Sequence, residues 1–273
     1  MTTAIFLDTT IQIARFIGSR DVKAKINRRL SQFGFTVTGL VVRQEFKRRF
    51  LTDVRYVRNA LRKNKFDTAE TLRHINSKLG LPFNRRKLSI CLDVFATAAF
   101  NGKPLTDAGE MFDLILSGWE QFGLRRFDES VGQVVQYSGC GCAKLDDTSA
   151  TKCSSAKNCE IGTFISSMTE NMRRILNVLS GLDHSLKSRE ISNAEARLTK
   201  WLGDTVTAKE DNPCLTVGDL VISMESQGIP VFYTKNARES QFLCRAQDQS
   251  MIVLREDDET VLDSRQNSSW PVF

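Results

Sequence analysis

Two stretches of this sequence decide its fold class: AIFLDTT at residues 4–10 and GDLVISMESQGIPVFYTKN at residues 218–236. Each contains a short apolar run that ends in polar residues, as expected for a buried strand whose next residues emerge at the edge of a sheet. Asp8 follows the first run, and Thr234 and Asn236 follow the second. Open α/β folds bind ligands at the edge where parallel strands end. The pattern therefore predicts an α/β protein with a site at that edge.

The remaining pattern predicts a sheet core around a helical middle. Apolar residues recur at helical spacing along 39–63, after Thr38 as a candidate N-cap. Amphipathic stretches predict further helices at about 67–79, 87–100, 106–122, 163–180 and 188–202. We expect a small parallel sheet flanked by helices, interrupted by a mainly helical insertion with a cysteine-rich loop. The expected bounds are 1–63 and 214–256 for the core, 64–213 for the insertion and 257–273 for a loose tail.

Three acids stand at positions that would meet at this edge. Asp8 follows the first strand, Glu45 lies early in the long helix, and Asp219 lies at the start of a later helix. Because Mg²⁺ and Mn²⁺ prefer oxygen ligands, the arrangement predicts a divalent-metal site. Each acid also has a purely structural alternative. Asp8 would cap the following helix, Glu45 would form a surface ion pair with Arg48 or Arg49, and Asp219 would be an N-cap or a first-turn acid.

The motifs LDTT at 7–10, RQEF at 43–46 and the segment 218–236 together resemble the PIN (PilT N-terminal) nuclease domain. The resemblance covers about residues 1–60 and 214–256. It implies that Asp8, Glu45 and Asp219 bind Mg²⁺ or Mn²⁺, with Thr234 lining the site and Asn236 at a fourth position that is often Asp in the family. Glu225 and Glu239 are the acids that would compensate for this Asn. The resemblance also implies cleavage of RNA phosphodiesters, by a toxin of a toxin–antitoxin pair or by an RNA-processing enzyme.

The net charge of +6 is unevenly distributed along the chain. Residues 1–100 hold 20 Lys or Arg against 7 Asp or Glu, whereas residues 101–273 hold 18 against 25. Basic patches attract a phosphate backbone by releasing its counterions, so the first part of the chain is expected to bind nucleic acid. Solvated helix faces are the alternative. The candidate cations are Arg43, Lys47, Arg48, Arg49, Arg62, Lys63, Lys65, Arg85, Arg86 and Lys87.

Four of the seven cysteines crowd into residues 138–160, which show no periodic apolar pattern and are expected to form a loop without a core of its own. Zinc takes four thiolates in tetrahedral geometry and can stabilise such a loop. We therefore expect a structural zinc site; free surface thiols and a redox-linked pair are the alternatives. The four cysteines are Cys140, Cys142, Cys153 and Cys159.

Several other classes of protein are disfavoured. No apolar run approaches the roughly eighteen residues of a membrane span, and no secretory signal is recognisable, so we expect a cytoplasmic protein with no membrane partner. A haloacid-dehalogenase-like phosphatase would need a second Asp where Thr10 stands. With only His74 and His184, a histidine-based hydrolytic triad has little material, and there is no P-loop.

The expected function is that of a divalent-metal-dependent endonuclease acting on single-stranded RNA. Two alternatives stay open: a catalytically silent module that binds nucleic acid or a protein, and a DNA-directed defence nuclease. An antitoxin-like protein and a second copy of the chain are the candidate protein partners.

Overall fold

The computed structural model describes residues 3–78, 87, 90–91, 93, 109–144, 159–203, 217–255 and 258–269. Arg85, Arg86 and Cys153, and most of a helix expected at 87–100, lie outside these residues. Among the described helices, none is both long and apolar enough to cross a membrane.

Six strands of the described residues form one mostly parallel sheet, in the order β3-β2-β1-β4-β5-β6. Only β6 runs antiparallel to its neighbour, and the other four pairings are parallel. The strands are β1 (Ala4–Leu7), β2 (Phe35–Gly39), β3 (Gln133–Val135), β4 (Val231–Thr234), β5 (Ser250–Leu254) and β6 (Glu259–Leu262). The expected α/β class with a parallel sheet is therefore confirmed.

Helices lie on both faces of this sheet because its central strand is apolar on both sides. Phe6 packs into one hydrophobic cluster and stacks on Phe232 with 5.5 Å between ring centroids, whereas Ile5 and Leu7 pack into a second cluster with Tyr233. Successive side chains of a strand point to opposite faces, so both faces of β1 must be covered.

The helices are numbered in chain order. They are α1 (Thr9–Ile17), α2 (Arg20–Leu30), α3 (Leu40–Phe46), α4 (Thr52–Lys63), α5 (Thr68–Lys78), α6 (Gly109–Glu129), α7 (Gly141–Lys144), α8 (Ile161–Ser167), α9 (Thr169–Ser180), α10 (Arg189–Gly203), α11 (Gly218–Glu225) and α12 (Ala237–Ala246). Short 3₁₀ segments occur at His184–Leu186 and Ser264–Ser269.

The helix expected over 39–63 is not regular throughout. A π-helical turn, Lys47–Leu51, separates α3 from α4 two residues after Glu45. Phe46, which precedes the turn, and Phe50, which lies within it, are fully buried, and their ring centroids are 4.9 Å apart. Packing of these aromatic side chains thus anchors the region that carries Glu45.

Two strands lie where the sequence predicted none. Strand β3 comes from the segment expected to be a helical insertion, and it pairs in parallel with β2. Strand β6 comes from the expected loose tail and pairs with β5. A strand of three or four residues is too short to show a clear apolar periodicity. For β3, the partner strand β2 is also far away in sequence. One hydrophobic cluster also joins core residues such as Phe46 to Phe112 and Leu198 of the middle segment.

Candidate active site at the carboxyl edge of the sheet

The centre of the sheet contains a topological switch point. From β1 the chain proceeds to β2 and β3 on one side, and later returns to β4 on the other side of β1. The crevice outside the carboxyl ends of two such strands is where open α/β sheets bind ligands. Asp8 follows β1 directly, Asn236 follows β4 closely, and the Asp8 N–H donates to the Tyr233 carbonyl at 3.0 Å.

Asp8 is buried at the start of α1, and its carboxylate orientation is fixed by three donors. Its side chain accepts a hydrogen bond from the Thr9 N–H, which makes Asp8 the N-cap of α1. The other oxygen, Oδ2, accepts from Thr10 Oγ1 at 2.8 Å and from Thr234 Oγ1 at 2.7 Å. Asp8 therefore does cap the helix, and it is also joined to the end of β4 through Thr234.

Asp219 lies in the first turn of α11 and is joined to Asn236. The Asn236 side-chain amide donates to Asp219 Oδ2 at 3.3 Å. Burial, followed by the negative charges of Asp8 and Glu45, raises the pKa of Asp219 to about 7. Glu45 and Asp219 line one cavity and Asp8 and Asp219 line another, so the structure does bring these distant acids to one region.

Glu45 on α3 is 3% exposed and is held in an ion pair. Arg49 Nη2 lies 3.1 Å from Glu45 Oε1, and Arg48 Nη2 lies 3.7 Å from it. Burial raises the pKa of Glu45; Arg49 opposes the rise, and Asp8 adds to it. The expected alternative of an ion pair is thus present, with the carboxylate of Glu45 buried and the Arg49 side chain still 41% exposed.

The start of α11 approaches Glu45 very closely. A Cβ atom built on Gly218 would lie 2.6 Å from Glu45 Oε1, which is shorter than real contacts of this kind. Glycine at this position therefore lets the backbone beside Asp219 pack directly against the Glu45 carboxylate.

Two cavities adjoin these acids. One of about 330 Å³ is lined by Glu45, Asp219 and Glu239 together with residues of α9, α10 and α12. A second, of about 10 Å³, is lined by both Asp8 and Asp219. The smaller space is about the least that holds a single water.

Glu239 and Glu225, the two acids that would compensate for Asn236, have different surroundings. Glu239 lines the larger cavity, and its negative charge also raises the pKa of Asp219. Ser188 Oγ donates to Glu239 Oε1 at 3.3 Å. The sequence signal for Glu239 is its position three residues after Asn236, in the first turn of α12, because residues three apart lie on the same face of a helix.

Glu225 is not at this site. It is fully buried, and its carboxyl accepts hydrogen bonds from the Val41 N–H, at 3.0 Å to Oε2, and from Ser138 Oγ. It therefore caps the start of α3, and the suggestion that Glu225 completes the acid cluster is wrong in this structure.

The carboxylate oxygens of the site are suitable ligands for a hard divalent cation, although the acids do not form a compact cluster. No group of three or more His, Cys, Asp or Glu that could hold a metal is found among the residues the structure describes. Mg²⁺, however, is usually held by only one or two carboxylates, with waters and substrate phosphates completing its shell. Asp8 and Asp219 beside their shared small cavity meet that lower requirement.

Three of the predicted nucleic-acid-binding cations lie inside the protein and are not available to a phosphate backbone. Arg43 bonds both carboxylate oxygens of Asp128, at 2.8 and 2.9 Å, and Lys47 is fully buried. Lys87 pairs with Asp53 at 3.1 Å. Successive side chains of a helix point in different directions around the helix axis, so some side chains of a basic run must face the protein interior.

The other described cations lie closer to the surface. Lys63 and Lys65 are exposed, and Arg62 is half-exposed while its guanidinium bonds both oxygens of Asp113. Arg48 and Arg49 are partly exposed beside Glu45.

The cysteine-rich stretch packs against the core at both of its described ends. Cys140 and Cys142 are buried in the main hydrophobic cluster, and Cys159 packs against it. The Cys140 thiol forms a hydrogen bond with Cys159 that, followed by burial, raises the pKa of Cys159. Since no group of three metal-ligating side chains occurs among the described residues, the zinc site stays a prediction that also requires Cys153.

No family model, curated protein or solved structure matches this chain.

Proposed function

We propose that this protein is a divalent-metal-dependent endonuclease that hydrolyses phosphodiester bonds, with single-stranded RNA as the favoured substrate. The observation that supports this most directly is the meeting of Asp8 and Asp219 beside one small cavity at the switch point of the sheet. The resemblance to PIN nucleases, which rests on the sequence motifs, belongs to the same proposal.

In this proposal Asp8 and Asp219 hold Mg²⁺ or Mn²⁺, and Glu45 contributes from the adjoining cavity wall. The bound ion would activate a water and neutralise charge that develops on the phosphoryl group. Thr10 and Thr234 orient Asp8, and Asn236 orients Asp219. Because Asp219 has a pKa of about 7, its carboxyl can hold a proton near neutral pH when no cation is present.

The larger cavity is where the substrate would approach these acids. Arg49 reaches the cavity while paired with Glu45, so a guanidinium is already placed beside the acids to meet a phosphate. In the free protein the same cation compensates part of the negative charge of the cluster.

The test is RNA cleavage by the purified full chain with Mn²⁺, compared with Asp8→Asn and Asp219→Asn. Asn is as good an N-cap as Asp, so Asp8→Asn retains the capping role while removing the charge. The matched control is Asp21→Asn, at an exposed acid on α2. We expect cleavage to be lost in the two site variants alone, with unchanged circular dichroism in all three. Equal activity of the site variants and the control would refute the assignment.

A second candidate function is a catalytically silent module that binds nucleic acid or a protein. The observations that favour it are the Glu45–Arg49 pair and the absence of a three-acid metal group among the described residues. Such a module would bind RNA equally well in EDTA and in Mn²⁺ and would cleave at no metal concentration. Parallel digestion of single-stranded RNA, single-stranded DNA and duplex separates the proposed ribonuclease from a DNA-directed enzyme.

A further inference from the structure

The cavity of about 330 Å³ is lined by polar groups from two parts of the chain. Glu45, Asp219 and Glu239 line it, and helix α10 contributes Arg189, Glu190 and Asn193. Helix α10 belongs to the middle segment of the chain, outside the part that resembles a nuclease domain. The middle segment therefore contributes directly to the surroundings of the candidate active site.

Arg189 is the cation that α10 contributes to the cavity lining. It is exposed at the first residue of α10, and it forms no ion pair within the described part of the chain, whereas Arg49 is paired with Glu45. A guanidinium with uncommitted N–H donors suits a phosphate, which it can contact with two parallel hydrogen bonds. The N-terminal end of α10, a helix of 15 residues, adds positive potential at the same place.

The cavity also has an apolar portion and a limited size. Leu179, Ile191 and Leu243 line it beside the charged groups. Its volume of about 330 Å³ is at the lower end of the roughly 300–1,000 Å³ typical of small-molecule pockets. A space of this size receives one nucleotide-sized group whose base is unpaired, and it does not receive a stacked duplex.

We propose that Arg189 is a substrate-positioning residue that binds a phosphate of single-stranded nucleic acid, while the attached nucleotide occupies the cavity against its apolar residues. This inference rests on the proposed function and adds a residue that lies outside the acid cluster but lines the same cavity. Glu190, the next residue, also lines the cavity and opposes an anion. Its neutralisation should therefore have the opposite effect to loss of Arg189.

The experiment measures binding of a fluorescein-labelled single-stranded RNA oligonucleotide to the full chain by anisotropy, in EDTA so that no cleavage is needed. Affinity is followed as KCl is raised. For Arg189→Ala we expect weaker binding and a salt dependence lowered by about 0.7 in log–log slope, the value for one phosphate contact to a single strand. Glu190→Gln should bind more tightly than the wild type. The matched control is Arg173→Ala, at an exposed arginine of α9 that does not line the cavity.

Equal affinity and slope for Arg189→Ala and Arg173→Ala would overturn the inference, as would tighter binding of the corresponding RNA duplex or no binding by the wild type. Circular dichroism checks that each variant is folded. Because the assay contains no metal, Arg189-dependent binding without Mn²⁺-dependent cleavage would contradict the nuclease proposal alone. Cleavage with Arg189-independent binding would contradict this inference alone.

Discussion

Replacement of Glu225 by Gln should change how the stability of the protein depends on pH. Glu225 is fully buried between the start of α3 and the segment that carries Ser138. Burial raises its pKa from 4.5 to about 8, against the opposing effect of the hydrogen bonds from Ser138 and from the Val41 and Leu40 N–H groups. Glu225 is therefore protonated at neutral pH in the folded protein and ionised in the unfolded chain.

The sign of the effect follows from proton binding. Between pH 4.5 and about 8 the folded state holds a proton that the unfolded state has lost, so stability falls as pH rises through this window. The stabilisation from this bound proton is fully present below pH 4.5 and is lost once the pH exceeds about 8, the pKa of Glu225 in the folded state. Integrated over the window, it amounts to on the order of 5 kcal/mol at about 1.4 kcal/mol per pH unit. Gln at this position does not titrate, and its amide oxygen can accept from the Val41 N–H while its NH2 group donates to Ser138 Oγ.

The assay is urea unfolding followed by circular dichroism, at pH values from about 5 to 8.5, which bracket most of this window. We expect Glu225→Gln and the wild type to be similarly stable at the acid end, and the variant to become the more stable by several kcal/mol at the alkaline end. Glu110→Gln, at an exposed acid on α6, serves as the control and should track the wild type. A wild-type-to-variant difference in unfolding free energy that stays constant across this pH range would show that Glu225 does not titrate as described.

Two further predictions concern the acid cluster and the cysteines. Gly218→Ala should displace the Glu45 carboxylate, because its Cβ would lie 2.6 Å from Oε1, and cleavage of RNA should fall roughly a hundredfold. The control is Gly203→Ala, where a Cβ would meet no atom within 4 Å; equal rates for the two variants would contradict the role given to Gly218. Elemental analysis of protein purified without chelators should find one zinc per chain, and Cys140→Ser should lose it; protein free of zinc would refute the structural metal site.

The local sequence was sufficient to predict the strand and helices that position the candidate acids. Strand β1 and helix α11 were predicted from short apolar runs and their polar ends, and the described structure has them at Ala4–Leu7 and Gly218–Glu225. The long helix after β2 was also predicted, apart from the π-helical turn that follows Glu45. These elements were recognisable because their own apolar residues repeat at the period of a strand or a helix.

The details of the site required contacts between distant residues. The sequence suggested both Glu225 and Glu239 as additional acids, yet only Glu239 lines the cavity, because Glu225 meets Val41 and Ser138 instead. The basic residue Arg43 likewise turns inward to Asp128, which is 85 positions away. Neither partner can be identified from the residues adjacent in sequence.

Short apolar runs and apolar periodicity, which are local features, were enough to predict an α/β protein in which Asp8 follows a strand and Glu45 and Asp219 lie early in helices. Contacts between distant segments were needed to show that β3 and β6 join the sheet and that α10 lines the cavity. The same kind of contact buries Lys47. These outcomes depend on which distant surfaces pack together, and that packing sets whether a charged side chain meets solvent, an ion partner or the candidate site.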